Sequence, residues 1–166
     1  MDLRIRPACE DDLPAILRIY NEEILHGTAT WDEEPWTLEQ RQAWFAEHAP
    51  DETTPVLVAE VAGEVAGFAY LSWYRPKSGY RFTREDTVYV DRSFQGRGVG
   101  KALLGRLLEE ARRLKLHAII GVITSENEAS IELHRQFGFQ AVGTRREVGF
   151  KFDRWLDAVE MELVLE

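Results

Sequence analysis

The chain has 166 residues, enough for one domain with a proper core, and its 45% hydrophobic and 30% charged content is ordinary for a globular protein. A formal net charge of −9 argues against nucleic acid and anionic membrane as general partners. The single cysteine, Cys9, excludes an internal disulfide; with no leader-like start and no apolar run of membrane-spanning length, the expectation is a cytoplasmic protein.

In chain order, Leu3 to Arg6 alternates like a strand, and Pro7 ends it. Asp11 and Asp12 precede a run with Leu13, Ile16, Leu17, Tyr20 and Ile24 at helical spacing, and Pro14 suits its first turn. Residues 26–36 read as a loop. Thr37 and Gln40 have capping-box spacing and open a second helix to about Ala49. Pro50 and Pro55 bracket a linker. Val56 to Val61 and Val65 to Trp73, joined by a turn at Gly63-Glu64, predict a hairpin. A basic loop follows from Tyr74 to Arg81, then a strand ending at Val90.

The stretch Gln95-Gly96-Arg97-Gly98-Val99-Gly100-Lys101 sits between that strand and an amphipathic run, Ala102 to Lys115. Glycines at a strand-to-helix junction let the backbone approach a ligand, and the helix N-terminus suits phosphate. The spacing fits neither a Walker loop nor the dinucleotide G-x-G-x-x-G. From Arg92 to Lys115 seven basic residues face two acidic ones, a basic island in an acidic chain. Ala118 to Ile123 is a β-rich run. Ser125 and Glu128 suggest a capping box for a helix through Gln136, closed by Gly138. Phe139 to Thr144 and Ala158 to Leu165 read as two final strands joined by an aromatic and basic loop. The order β-α-α-β-β-β-α-β-α-β-β predicts an α/β fold with a mixed sheet, antiparallel at the hairpins and parallel across strand-helix-strand units.

Counted as Gln95, Gly98 and Gly100, the glycine loop has the form Q-x-x-G-x-G, which resembles the pyrophosphate loop of GNAT (GCN5-related) N-acetyltransferases. The element order is also similar to that fold, a central, mostly antiparallel mixed sheet flanked by helices. The resemblance implies one such domain over residues 1–166. A second motif, Asn127 through Ser130 and His134 to Gly138-Phe139, matches in spacing, except that His134 stands where the family usually has Tyr. Glu85 to Val90, Leu133-His134, Gly143-Thr144-Arg145, and Gly149-Phe150-Lys151 with Trp155-Leu156-Asp157 resemble the phosphinothricin and methionine sulfoximine acetyltransferases.

That resemblance implies acetyl-CoA as co-substrate, a small amino-acid acceptor and a homodimer; the histidines lack metal-binding spacing, so no metal is expected. Gln95, Gly96, Arg97, Gly98, Val99, Gly100 and Lys101 would hold the pyrophosphate. Val88, Tyr89 and Val90 would pair with the pantetheine arm at a splayed strand edge, with Tyr89 or Val90 N–H polarising the thioester. Asn127 with Ser130 would hold the arm, or Asn127 starts a helix.

Glu85 would be the general base, or an anchor for the substrate ammonium. His134 would be a catalytic acid or relay, or structural. Arg75 and Lys77 would clamp the substrate carboxylate with Tyr80 as a wall, the competing reading being a solvated turn. Asp86 and Thr87 lie beside Glu85 and join the substrate set. Trp31, Trp73, Phe150 and Trp155 are candidates for the pocket or a dimer interface. Core packing competes for each, most strongly for Trp73. Two other functions fit the same residues: acetylation of a protein N-terminus or another amine, and a non-catalytic acyl-CoA-binding module.

Overall fold

Strands that are apolar on both faces must be covered on both, and this decides the layers. The computed structural model describes residues 1–49 and 51–166; the expected linker start at Pro50 lies outside the described residues. The elements are β1 (Leu3–Pro7), α1 (Leu13–His26), α2 (Leu38–His48), β2 (Val56–Val61), β3 (Glu64–Trp73), β4 (Thr83–Val90), α3 (Val99–Arg113), β5 (Ala118–Thr124), α4 (Glu128–Gln136), β6 (Gln140–Lys151) and β7 (Arg154–Val164). They form one seven-stranded sheet in the order β1-β2-β3-β4-β5-β7-β6, with β4–β5 its parallel pair.

Alternation along β2 sends Val58 to one face and Leu57 and Ala59 to the other. On the first face α1 packs Leu13, Ile16, Ile19, Tyr20 and Ile24 against Val58 and Phe68. On the second, α3 buries Leu103, Leu104, Leu107, Leu108 and Ala111 against the sheet, and α4 adds Ile131. Each leucine removed from water in this way contributes about 1.5–3 kcal/mol. Gly67 on β3 permits the close fit of α3: a Cβ there would lie 2.7 Å from the Tyr89 carbonyl oxygen and 3.1 Å from Leu103.

Several local expectations hold and several change. The Thr37–Gln40 capping box is present in both directions. The turn of the first hairpin uses Ala62 and Gly63, both at positive φ. Asp12 does not cap α1 through its side chain; it accepts the Cys9 N–H at 2.8 Å and a two-pronged pair from Arg6. The capping box at Ser125 and Glu128 does not form. Asn127 is the N-cap of α4, and its Oδ1 accepts the Ser130 N–H at 3.1 Å.

The largest change is in the final hairpin. The expected loop from Arg145 onward is strand, and β6 reaches Lys151 before a tight turn at Phe152-Asp153, both at positive φ. From Gln140 to Glu147 β6 is exposed on both faces, so no apolar alternation announces it. Trp73 is half-exposed rather than core, with the Arg84 guanidinium 3.5 Å from its ring centroid.

Candidate active site

The parallel β4–β5 ladder is short. It runs from Thr83↔Ala118 to Glu85↔Ile120 and stops, although β4 continues to Val90 and β5 to Thr124. Past that point β4 stays on β3, through Gly67↔Val90, while β5 follows β7, through Thr124↔Ala158. The strands part like a V, and their facing edges are left unpaired with each other.

A buried pair fills the root of the V. His134 on α4 and Asp86 on β4 meet at 2.8 Å (Nε2 to Oδ2), with side chains 4% and 1% exposed. The other ring nitrogen, Nδ1, is 2.7 Å from the Ser130 carbonyl. A carbonyl only accepts, so Nδ1 carries a proton, and Nε2–H donates to the carboxylate when the ring is charged. Burial opposes that charge, but the Asp86 hydrogen bond and charge, with the Ser130 carbonyl, outweigh it and raise the His134 pKa above its usual 6.5. Gly121 on β5 makes room: a Cβ there would lie 3.1 Å from Asp86 Oδ1 and 3.2 Å from the His134 ring. Asp86 Oδ1 and Thr124 Oγ1 are buried with no partner among the described residues.

On one side of the V lies a groove of about 880 Å³ lined by Val88, Tyr89 and Val90 and by the glycine loop. Gly96 and Gly98 have φ of 73° and 82°, and nothing lies within 4 Å of a Cβ built on either, so the loop's face is open. The first backbone bond of α3 here runs from Ala102 N–H to Gly98. The N–H groups of Val99, Gly100 and Lys101 precede it and open on the groove at the positive end of the helix. These donors suit a pyrophosphate. Asn127 and Ser130 form the opposite wall.

On the other side lies a cavity of about 300 Å³ containing Glu85, Asp86, Thr87, His134 and Trp31, with Tyr70 and Thr30. The Glu85 pKa is raised, first by burial and then by the charges of Asp86 and Glu160. The Tyr70 and Tyr89 hydroxyls are also pushed up, chiefly by burial. Behind this wall Arg41 is buried, 4.2 Å from the Trp36 ring centroid and 4.6 Å from those of Tyr20 and Trp44. Cavity and groove share Ala29, Val88, Tyr89 and Asn127. The geometry suits a two-substrate reaction at Val88–Tyr89, with a carboxylate on the acceptor side.

Sixteen of the singled-out residues are thus gathered around the V, and seven are not, Trp73, Phe150 and Trp155 among them. Arg97 turns its guanidinium to the Phe94 ring, 5.5 Å away, and does not line the groove. Arg75, Lys77 and Tyr80 lie outside the cavity lining of their own chain; Arg75 sits over Tyr74 and Tyr80 instead. Thr30, Tyr70, Val122 and Thr124, which line the smaller cavity, were not singled out in the sequence. Only the alternation of β3 and β5 hinted at which of their residues share a face. Arg92, which lines the larger groove, lay inside the recognised basic island.

A model of the acetyltransferase (GNAT) family matches residues 14–139. An L-methionine sulfoximine/L-methionine sulfone acetyltransferase of Pseudomonas paraeruginosa is 46% identical over 100% of this chain and 96% of its own length. A solved phosphinothricin acetyltransferase of Sinorhizobium meliloti, in complex with AcCoA, superposes with a TM-score of 0.95 at 37% identity, covering 99% of this chain and 89% of that one. A ribosomal-protein-alanine N-acetyltransferase structure from Brucella melitensis has a TM-score of 0.95 at 45% identity, covering 98% and 99%.

Proposed function

The chain belongs to the acetyltransferase (GNAT) family, and from that premise we propose that its acceptor is the α-amine of a small amino acid or a tetrahedral analogue: methionine sulfoximine, methionine sulfone or phosphinothricin. It is an acetyl-CoA-dependent N-acetyltransferase, and the whole chain is read as one such domain. The observation that carries the acceptor assignment is the small cavity holding Glu85, which meets the donor groove at Val88 and Tyr89.

In this reading the amine attacks the thioester carbonyl directly in a ternary complex. Glu85 takes the amine's proton, directly or through water; its raised pKa brings a carboxylate closer to the working range of a base. N–H groups of the open β4 edge bind the pantetheine amides and polarise the carbonyl as negative charge develops. The N–H groups of Val99 to Lys101 and the Lys101 amine hold the pyrophosphate. His134 holds Asp86 in place at the root of the V, and in its protonated form, which Asp86 and the Ser130 carbonyl favour, it would put a positive group near the departing thiolate. Its two nitrogens are already bonded, so it assists by charge before it assists by proton transfer.

The cytoplasm is the proposed location, and a homodimer the proposed assembly. The outer β6–β7 pair exposes Val142, Val148, Phe150 and Trp155, which suits burial by a second copy. The Arg75–Tyr80 loop remains the proposed carboxylate clamp. It lies off its own chain's cavity, so in the proposed dimer the clamp would act on the partner's site.

A second reading, acetylation of a protein N-terminus, is favoured by the likeness to the Brucella protein. Comparing kcat/KM for methionine sulfone, methionine sulfoximine and phosphinothricin with that for an Ala-initiated peptide separates the two. Turnover of the free analogues well above the peptide supports the proposal, and peptide turnover without free amino-acid turnover overturns it.

A further inference from the structure

The motif Gly149-Phe150-Lys151 with Asp157 has no role in the chemistry above, yet it ends in a fully buried cation. Lys151 is 2% exposed, and its Nζ donates to three carbonyls: Gly27 at 2.7 Å, Thr30 at 2.9 Å and Glu23 at 3.3 Å. All three ammonium protons are thereby used, and no carboxylate hydrogen-bonds it among the described residues. Glu23, Asp32 and Glu33 act on it only through space, while burial lowers its pKa. The Glu23 and Gly27 carbonyls end α1, where the helix dipole is negative. An apolar side chain would fill the same space without the cost of desolvating a charge. What the charge adds is a fixed position for the carbonyls.

Those carbonyls bracket a functional segment. Ala29, Thr30 and Trp31 line the acceptor cavity, and Gly27, Thr28 and Ala29 line the donor groove. The hairpin also seats the indole. A Cβ on Gly149 would lie 2.5 Å from two ring carbons of Trp31, so the ring rests directly on glycine backbone. A bulge sets that register. Pairing jumps from Arg145↔Ala158 to Gly149↔Leu156, Glu147 adopts φ of 55°, and Asp157 Oδ1 accepts the Glu147 N–H at 2.8 Å. Gly149, Lys151 and Asp157 thus each perform one task in the same construction.

We propose that Lys151, with Gly149, is a positioning residue for acceptor specificity: by gripping the 27–31 segment from the β6–β7 hairpin, it sets where Thr30 and Trp31 stand in the acceptor wall. This rests on reading the smaller cavity as the acceptor site. The donor side has its own anchor in the glycine loop, so it depends less on the grip.

The test is steady-state kinetics of Lys151→Met and Gly149→Ala, with methionine sulfone and acetyl-CoA varied separately and acetyl-CoA Kd measured by calorimetry. Both variants are expected to raise the amino-acid KM about tenfold, with kcat and acetyl-CoA Kd within about threefold of the parent. An unchanged amino-acid KM in folded Lys151→Met overturns the inference, as does a common fall in kcat and both affinities, which would mark general loosening. If Lys151→Met does not melt cooperatively, Gly149→Ala decides alone, because it displaces Trp31 without touching the ammonium; an unchanged KM there overturns the proposal. Glu85→Gln run in parallel separates the two levels. Full activity in that variant refutes the acceptor-site reading itself.

Discussion

Replacing His134 by alanine strikes the pair at the root of the V. The change removes the ring's edge contact with Phe139, centroids 4.9 Å apart, and leaves the Asp86 carboxylate buried with neither oxygen paired. Breaking a buried pair from one side costs about 3–5 kcal/mol. In a chain of this length each kcal/mol is worth roughly 2–4 °C in Tm, so the variant should melt about 6–20 °C lower.

The pair also dictates a pH dependence. The folded His134 pKa lies above its ordinary 6.5. A group so raised contributes fully below its unfolded pKa and loses that contribution as pH rises through the folded one. The stability gap between parent and His134→Ala should therefore be widest at about pH 6 and narrow toward about pH 9. Urea unfolding of both proteins across that range measures it. A gap that stays constant, or widens with pH, would refute the assignment of a protonated ring facing Asp86.

Two further outcomes test the binding surfaces. Gly98 caps α3 at φ of 82° with open space around it, so Gly98→Ala meets only backbone strain, about 1–2 kcal/mol. It should raise the acetyl-CoA KM and leave the amino-acid KM nearly unchanged, as initial-rate kinetics will report. Arg75→Ala should raise the amino-acid KM about tenfold with kcat retained. Co-expressed with Glu85→Gln, it should restore low-KM turnover at about a quarter of sites if the loop serves the partner. No recovery would return the loop to its own chain.

Much of this architecture was legible because its signals are local. Alternation in β2 and β3, the leucine spacing of α3, the Thr37–Gln40 box and the glycine loop each reside in one short stretch. The glycine-loop face of the larger groove comes from one such stretch and was singled out, whereas Glu23, Gly27, Thr28 and Glu126 on its other faces were not. The smaller cavity draws on β3, β4, β5 and the loop after α1, so Tyr70, Thr30 and Thr124 were invisible. His134 stood out as a departure from a motif, but its partner Asp86 lies 48 residues away. Lys151 stood in a motif but without a role, because nothing near it announces that Gly27 and Thr30 carbonyls will arrive around it. β6 was cut short for the opposite reason: a strand exposed on both faces carries no apolar period.

The central claim is that Glu85, at the last rung before β4 and β5 part, takes the proton of an amine that attacks acetyl-CoA. The most direct measurement is thiol release from acetyl-CoA with methionine sulfone, across pH, for the parent and Glu85→Gln. The variant should show a kcat lower by about 100-fold, an acetyl-CoA KM little changed, and loss of the acid limb that the raised Glu85 pKa gives the parent. An unchanged kcat with an unchanged pH profile would contradict it.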